Sequence, residues 1–286
     1  MNKLIMKIFY ETKFFYKLVK SLAKKIGFSL IKTNLIKFNG WGLISQRDMP
    51  WDSKYENKYL KNFNKIEKNF LKKIKNQTFY LSQFNSFKNS YKKNFFILLG
   101  LKYRHYYVYL STLIASRNTK SNNYVECGVC DGLTIFFNSQ LHNSNNKLKV
   151  YLYDSWSKVR NKDFINIKEK NKTDAYSYLD INRTKKNLIE FKKYLIFNKG
   201  YIPEIFKITK NPKKICWLHI DLNASKPTLS TLNFFYERLE KNGIILIDDY
   251  ADNNYADTRL VVDNFFLKKK DILFQLPTGQ AIIFKA

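Results

Sequence analysis

From residue 122 onward, short apolar runs alternate with amphipathic helical stretches, and this alternation constrains the fold more than any other feature of the chain. NNYVECGV reads as a strand and GLTIFFNSQL as the helix after it. KLKVYLYDS is a second strand, and a long polar, Lys-rich segment (158–190) supplies a loop and a helix. YLIFNKG and ICWLHID are the third and fourth strands. TLSTLNFFYERLEKNG then reads as a helix with Gly243 in its C-cap position, and GIILIDD as the fifth strand. DTRLVVDNFFLKKK is an amphipathic helix whose basic residues sit at its C-terminal end, where the macrodipole favours them. Short apolar strands separated by helices predict a parallel sheet covered on both faces. DILFQL and QAIIFKA are joined at Pro277-Thr278-Gly279 by too few residues for a crossover, so they form an antiparallel hairpin.

The first 90 residues differ in character. They are Lys-rich, with apolar residues at helical spacing, as in Phe14-Leu18-Leu22-Ile26 and Tyr55-Tyr59-Phe63-Ile66-Phe70. They predict a basic helical extension or cap over residues 1–90, ahead of a sheet domain over 91–286, with WGLISQRDMPWDS (41–53) as a linker. The first helix, roughly residues 4–26, has a basic face suited to peripheral membrane contact, and equally to packing on the main domain or on a partner chain in a homo-oligomer.

Lys and Arg number 51 against 23 Asp and Glu, a formal net charge of +28, which would suit an anionic partner. The basic residues are spread along the chain, however, and no nucleic-acid module accompanies them, so nucleic acid is not expected as a partner. Three cysteines, Cys127, Cys130 and Cys216, are too few and too odd in number for a disulfide scaffold and point to a reducing compartment. Charges interrupt the N-terminal apolar residues too often for a signal peptide, and no apolar run approaches the roughly 20 residues of a membrane span. The expected location is cytoplasmic, with membrane-peripheral attachment through the first helix as the variant.

In an open α/β sheet, ligands bind beyond the carboxyl ends of the strands. The first strand ends in Glu126-Cys127-Gly128-Val129-Cys130-Asp131-Gly132, where glycines permit a tight turn and a close approach to a ligand. The second ends in Asp154-Ser155, and an acid about 20 residues beyond a glycine loop is the usual partner of ribose hydroxyls. The fourth ends in His219-Ile220-Asp221 and the fifth in Asp248-Asp249. Three carboxylates at one sheet mouth repel one another unless protonated or neutralised, and nothing basic in the local sequence is placed to pair with them. Hard oxygen ligands point to Mg²⁺ or a similar ion. Asp248 could instead cap the helix that begins near Asp257.

YVECGVCDG, YLYDSW, LHIDLNASKPT and GIILIDDY, in that order and spacing, resemble the macrocin O-methyltransferase family, over about residues 95 to 286. The resemblance implies a Rossmann-like class I methyltransferase sheet, mostly parallel with a C-terminal antiparallel hairpin. It implies S-adenosylmethionine and Mg²⁺ as cofactors and a sugar hydroxyl as the methyl acceptor. Glu126, Gly128 and Gly132 would line the methionine and ribose end of S-adenosylmethionine, Asp154 with Ser155 would hold the ribose, and Asp221, Asp248 and Asp249 would bind the metal. The family pattern after the first metal Asp is Gly-Asp-x-Tyr-x-Ser-Thr, of which only Thr228 survives in Leu222-Asn223-Ala224-Ser225-Lys226-Pro227-Thr228. Acceptor contacts near that loop therefore do not carry over, and neither does anything in the first 90 residues.

The implied chemistry is a cation chelating two vicinal hydroxyls of a small-molecule or glycan acceptor and lowering the pKa of one of them. His219, Glu169 and Asp174 are candidates for a general base. Cys127-x-x-Cys130 has zinc spacing, but structural zinc needs four ligands and the one other thiol is Cys216. Tyr103-Arg104-His105-Tyr106-Tyr107 reads as a helix leading into the first strand rather than a base-stacking platform. The competing readings are a metal-dependent sugar-nucleotide transferase, which the early Glu-x-Gly-x-x-x-Gly and the terminal hairpin disfavour, and a non-catalytic basic membrane or nucleic-acid adaptor on a vestigial fold. An adenine methyltransferase would be expected to carry Pro-Pro where Asp248-Asp249 stand.

Overall fold

The computed structural model describes residues 56–81, 101–141, 148–165 and 176–286. The expected helix over 4–26, the linker over 41–53, and Glu169 and Asp174 lie outside the described residues. Seven strands form one sheet in the order β3-β2-β1-β4-β5-β7-β6. They are β1 (Asn123–Cys127), β2 (Lys149–Asp154), β3 (Leu195–Lys199), β4 (Ile215–Ile220), β5 (Leu239–Ile247), β6 (Ile272–Gln275) and β7 (Ala281–Phe284). β1 to β5 are parallel, and β7 runs antiparallel to both β5 and β6. From β1 the chain steps outward to β2 and β3 and then returns to place β4 on the other side of β1. That reversal opens a crevice at the carboxyl ends of β1 and β4, the switch point where α/β sheets bind ligands.

One face of the sheet is covered by α1 (Lys58–Lys75), α2 (Lys102–Asn118), α3 (Leu133–Ser139) and α4 (Ile181–Asn187). The other carries α5 (Ser225–Phe235) and α6 (Ala256–Phe266). Asn57 caps α1 by accepting from the Tyr59 and Leu60 N–H groups, both at 3.0 Å. The spacing of Phe63, Phe70 and Ile74 buries one side of α1 against aromatic rings of α2 and α3; Phe63 lies 5.2 Å from Tyr106 and Phe70 5.2 Å from Phe137. The Tyr103–Tyr107 stretch is helical, as expected, and turns His105 inward to stack on Phe137 at 4.4 Å. On the opposite face, Leu232, Phe235, Val262 and Phe266 close over Val125, Leu218, Ile245 and Ile283.

Two boundaries differ from those expected. The compact unit containing the sheet spans Tyr55–Ala286, so the chain divides near residue 55 rather than 90. Lysine content suggested one uniform extension, but α1 contributes three core side chains and belongs with the sheet. Gly243 is not a helix C-cap. The helix ends at Phe235, a 3₁₀ turn covers Tyr236–Arg238, and Leu239 already pairs with Ile215 of β4. The next pairing is Trp217 with Ile244, so residues 240–243 are a bulge. Asn242 takes the left-handed conformation there (φ 64°). Gly243 is needed for space instead, because a Cβ would lie 2.7 Å from the Glu240 carbonyl oxygen. Among the described residues no helix is long and apolar enough to cross a membrane.

Candidate active site

The loop after β1 is built by close contacts within the protein. Gly128 has φ 89°, and a Cβ on it would sit 1.8 Å from the Asp221 carbonyl oxygen, so the ends of β1 and β4 touch through a position open only to glycine. Asp154, at the end of β2, accepts from the Val129 and Cys130 N–H groups at 2.7 and 2.8 Å through Oδ2, and from the Trp156 N–H at 2.6 Å through Oδ1. Its carboxylate thus braces the glycine loop. Trp156 reinforces the same corner, its indole N–H donating to the Cys130 carbonyl at 3.1 Å. Burial raises the thiols of Cys127 and Cys130.

Beside this loop lies a cavity of about 430 Å³. Its wall includes Gly128, Cys130, Asp154 and Ser155 from the ends of β1 and β2, and Asp221, Asn223, Asp248 and Asp249 from the ends of β4 and β5, with Tyr176 and Tyr255 also in the wall. Of the residues expected at a cofactor, Gly128, Asp154 and Ser155 are therefore on the wall. Glu126 and Gly132 are behind it. Gly132 (φ 85°) packs under Leu188, and Glu126 is buried between strands with Oε1 2.9 Å from His219 Nδ1. His219 is fully buried, and its Nε2 lies 3.9 Å from Asp248 Oδ1. Burial alone would lower this imidazole, but the carboxylates of Asp248 and Glu126 outweigh it and raise it to about 10. A buried, protonated imidazole away from the cavity wall is poorly suited to be a general base.

Asp221, Asp248 and Asp249 do converge, each offering a carboxylate oxygen within 4.8 Å of the others, and they are the one group of three or more His, Cys, Asp or Glu so placed among the described residues. Metal–oxygen distances of about 2.0–2.6 Å put all three within reach of one hard cation. Burial, then the neighbouring Asp248 charge, raises Asp221 well above the usual carboxylate range and Asp249 to about 7. This is the signature of surplus negative charge, which a divalent ion would relieve, so the donor set fits such an ion.

No basic residue was expected from the local sequence to pair with these acids, and the one that does comes from far away in the chain. Arg104, on α2, forms an ion pair with Asp248 Oδ2, and also donates to the Asp248 and Thr278 carbonyls at 3.0 Å each. Gln280 donates to Asp248 Oδ1 at 2.9 Å. Burial works against ionisation of Asp248, but Arg104 and His219 prevail and hold it below the usual range. Each carboxylate oxygen keeps a second lone pair. Asp248 therefore joins α2, β5 and the β6–β7 turn rather than capping α6. Asn223 donates to Asp249, so the residue standing in place of an acid supports the trio. Arg104 lay outside the strand-end motifs, and its helix position carried no signal of this contact.

Residues 125–250 match a family described as a methyltransferase domain. No curated protein is significantly similar to the chain in sequence. Among solved structures, the O-methyltransferase NovP is 17% identical with a TM-score of 0.54, covering 64% of this chain and 79% of its own. The calicheamicin methyltransferase CalS11 is 14% identical with a TM-score of 0.49, covering 80% and 94%. SMU.1697c from Streptococcus mutans, in complex with SAH, is 16% identical with a TM-score of 0.42, covering 62% and 96%. The domain match spans less than half of the chain, and the seven-stranded sheet with an antiparallel β7 gives the chain the fold of the O-methyltransferase NovP.

Proposed function

We propose that the chain is an Mg²⁺-dependent O-methyltransferase acting on a hydroxyl of a sugar, in a glycan or a glycosylated metabolite, as the resemblance to macrocin O-methyltransferases implies. The observation that carries this reading is the meeting of Asp221, Asp248 and Asp249 beside the Gly128 loop on one cavity wall. Asp221 and Asp249 would hold the cation, with Asp248 presenting its remaining lone pairs from the Arg104 and Gln280 clamp. When bound, such an ion lowers the pKa of a coordinated hydroxyl and so makes a nucleophile available at neutral pH. The Gly128–Asp131 loop and Ser155 would bound the methyl donor, with Asp154 fixing the loop's amides and keeping lone pairs for a ribose. Tyr176 and Tyr255, in the cavity wall and close enough to feel the charges of Asp221 and Asp249, would face the acceptor and exclude water from it.

Calorimetry with S-adenosylmethionine, repeated with UDP- and GDP-sugars, tests the donor: binding of the first without comparable heat from the others is expected. Asp249→Ala should abolish turnover, by at least about 10³-fold, while leaving S-adenosylmethionine affinity within a few-fold of wild type. Equal loss of both would mean that the acids serve the donor and not a metal.

A further inference from the structure

The solvent side of α1 carries Lys58, Lys61, Lys65, Lys68, Lys72 and Lys75, all exposed, at alternating spacings of three and four residues. At 3.6 residues per turn and 1.5 Å rise, they fall within about 100° of the helix circumference and form a row about 26 Å long. Among the described residues, the nearby acids are turned elsewhere. Glu67 is buried and meets Lys102 at 3.5 Å, Glu190 meets Lys73 off the row at 3.3 Å, and Glu56 accepts from Asn64 at 2.8 Å. Like charges at i, i+3 and i, i+4 destabilise a helix. The row is held together by burial of Phe63, Phe70 and Ile74 on the opposite side, so the core, and not the lysines, accounts for the helix.

We infer that this row is an electrostatic docking face for a planar anionic lipid surface. A straight row on a convex helix can meet a plane along its full length, whereas a nucleic-acid duplex would cross it at a few phosphates. Along α1 the exposed residues beside the lysines are Asn62, Asn69 and Asn76. The aromatic ring next to the row, Tyr59, is half-buried and already faced by Lys58 and Arg117, so among the described residues of this helix no fully exposed ring offers a stacking platform for single-stranded bases. α1 itself has no exposed apolar residue, so its contact would be adsorption without insertion, and therefore strongly dependent on salt. The row also leads to the cavity. The chain runs on from α1 to Tyr80, whose N–H and carbonyl both bond Asn187 at 2.8 Å, and to Leu81, which lines the cavity wall. Asn187 donates at 2.8 Å to the Asp131 carbonyl in the glycine loop. Adsorption along α1 would thus hold the cavity close to the bilayer, where a lipid-linked or envelope glycan is presented; that last step, unlike the adsorption, rests on the function proposed above.

The test is flotation of the full-length chain with vesicles of phosphatidylcholine containing about one quarter phosphatidylglycerol, against phosphatidylcholine alone, with melting curves to check that each variant is folded. Binding is expected to the anionic vesicles only, and to fall at least about tenfold between roughly 50 and 300 mM NaCl. The variant Lys61→Gln/Lys65→Gln/Lys68→Gln/Lys72→Gln should lose at least about tenfold in partitioning. The control Lys207→Gln/Lys210→Gln/Lys213→Gln/Lys214→Gln, with the same change in net charge at other exposed positions, should lose much less. Single Lys65→Gln and Lys68→Gln changes, each expected to cost about threefold, keep the test open if the quadruple variant fails to fold. Equal losses in the row and control variants, indifference to phosphatidylglycerol, or a row variant that loses an oligonucleotide but keeps its vesicles would each overturn the inference. Neither donor nor acceptor is needed for the measurement, so its outcome is independent of the catalytic reading.

Discussion

Asp248 shows how far apart in the chain the halves of one functional contact can lie. Its counter-charge, Arg104, is 144 residues earlier. Without that guanidinium, three converging carboxylates would have to be protonated or neutralised by a bound ion at all times; with it, one of them is ionised and fixed before any ligand arrives. The side chains are 24% and 17% exposed, so the pair is only partly desolvated. Removing the cation alone should cost about 1–3 kcal/mol, below the range for a fully buried pair, because solvent screens part of the charge left behind. Arg104→Gln is therefore expected to unfold at lower urea, and adding Asp248→Asn should recover part of the loss. A double-mutant cycle in urea measures the coupling, and a value below about 0.5 kcal/mol would make the contact incidental to stability.

Which parts of the fold were legible in the sequence follows from where the specifying forces act. β1, β4 and the second half of β5 announce themselves because both their faces are buried, which demands continuous apolar runs such as Ile244–Ile247. The strand-end acids could be placed side by side because consecutive parallel strands end at one edge of the sheet. The bulge at 240–243 could not be seen, since Glu240 and Lys241 suit a helix and Asn242-Gly243 its end, and a distant contact, Leu239 with Ile215, overrides them. The roles of Gly128 and Asp154 were half legible. A glycine and an acid were expected to meet a ligand, whereas the structure spends much of each on closing the loop. Gly128→Ala makes this measurable. The new methyl would need the position φ 89°, which disfavours a side chain, and would lie 1.8 Å from a backbone oxygen, so the ends of β1 and β4 must separate. A loss of about 3 kcal/mol or more in unfolding free energy is expected, together with loss of S-adenosylmethionine heat. A variant that melts like wild type would show that the loop can yield.

The aromatic layer of α1, α2 and α3 ties the protein's stability to pH through one residue. His105 is 6% exposed and stacked on Phe137; burial, with Arg104 beside it, lowers its pKa to about 3 against the pull of Asp248. Between that value and the free value of about 6.5, the unfolded chain binds a proton that the folded chain refuses, so stability falls as pH falls through this window. The slope is at most about 1.4 kcal/mol per pH unit, or about 2 kcal/mol from pH 7.5 to pH 5. Glu126 and Asp249, both raised to about 7, run the other way, because the folded chain binds their protons first and gains stability as pH falls. His219, raised to about 10, is protonated in both states below pH 6 and is silent there. The wild-type profile is therefore a partial cancellation, and its net slope identifies no residue. The difference between wild type and His105→Phe does, because the opposing groups are common to both and the aromatic stack is kept. Urea unfolding at intervals from pH 7.5 to pH 5 should show the variant gaining on wild type by about 2 kcal/mol at the acid end. A difference that stays flat across that range would mean His105 takes up its proton inside the folded layer.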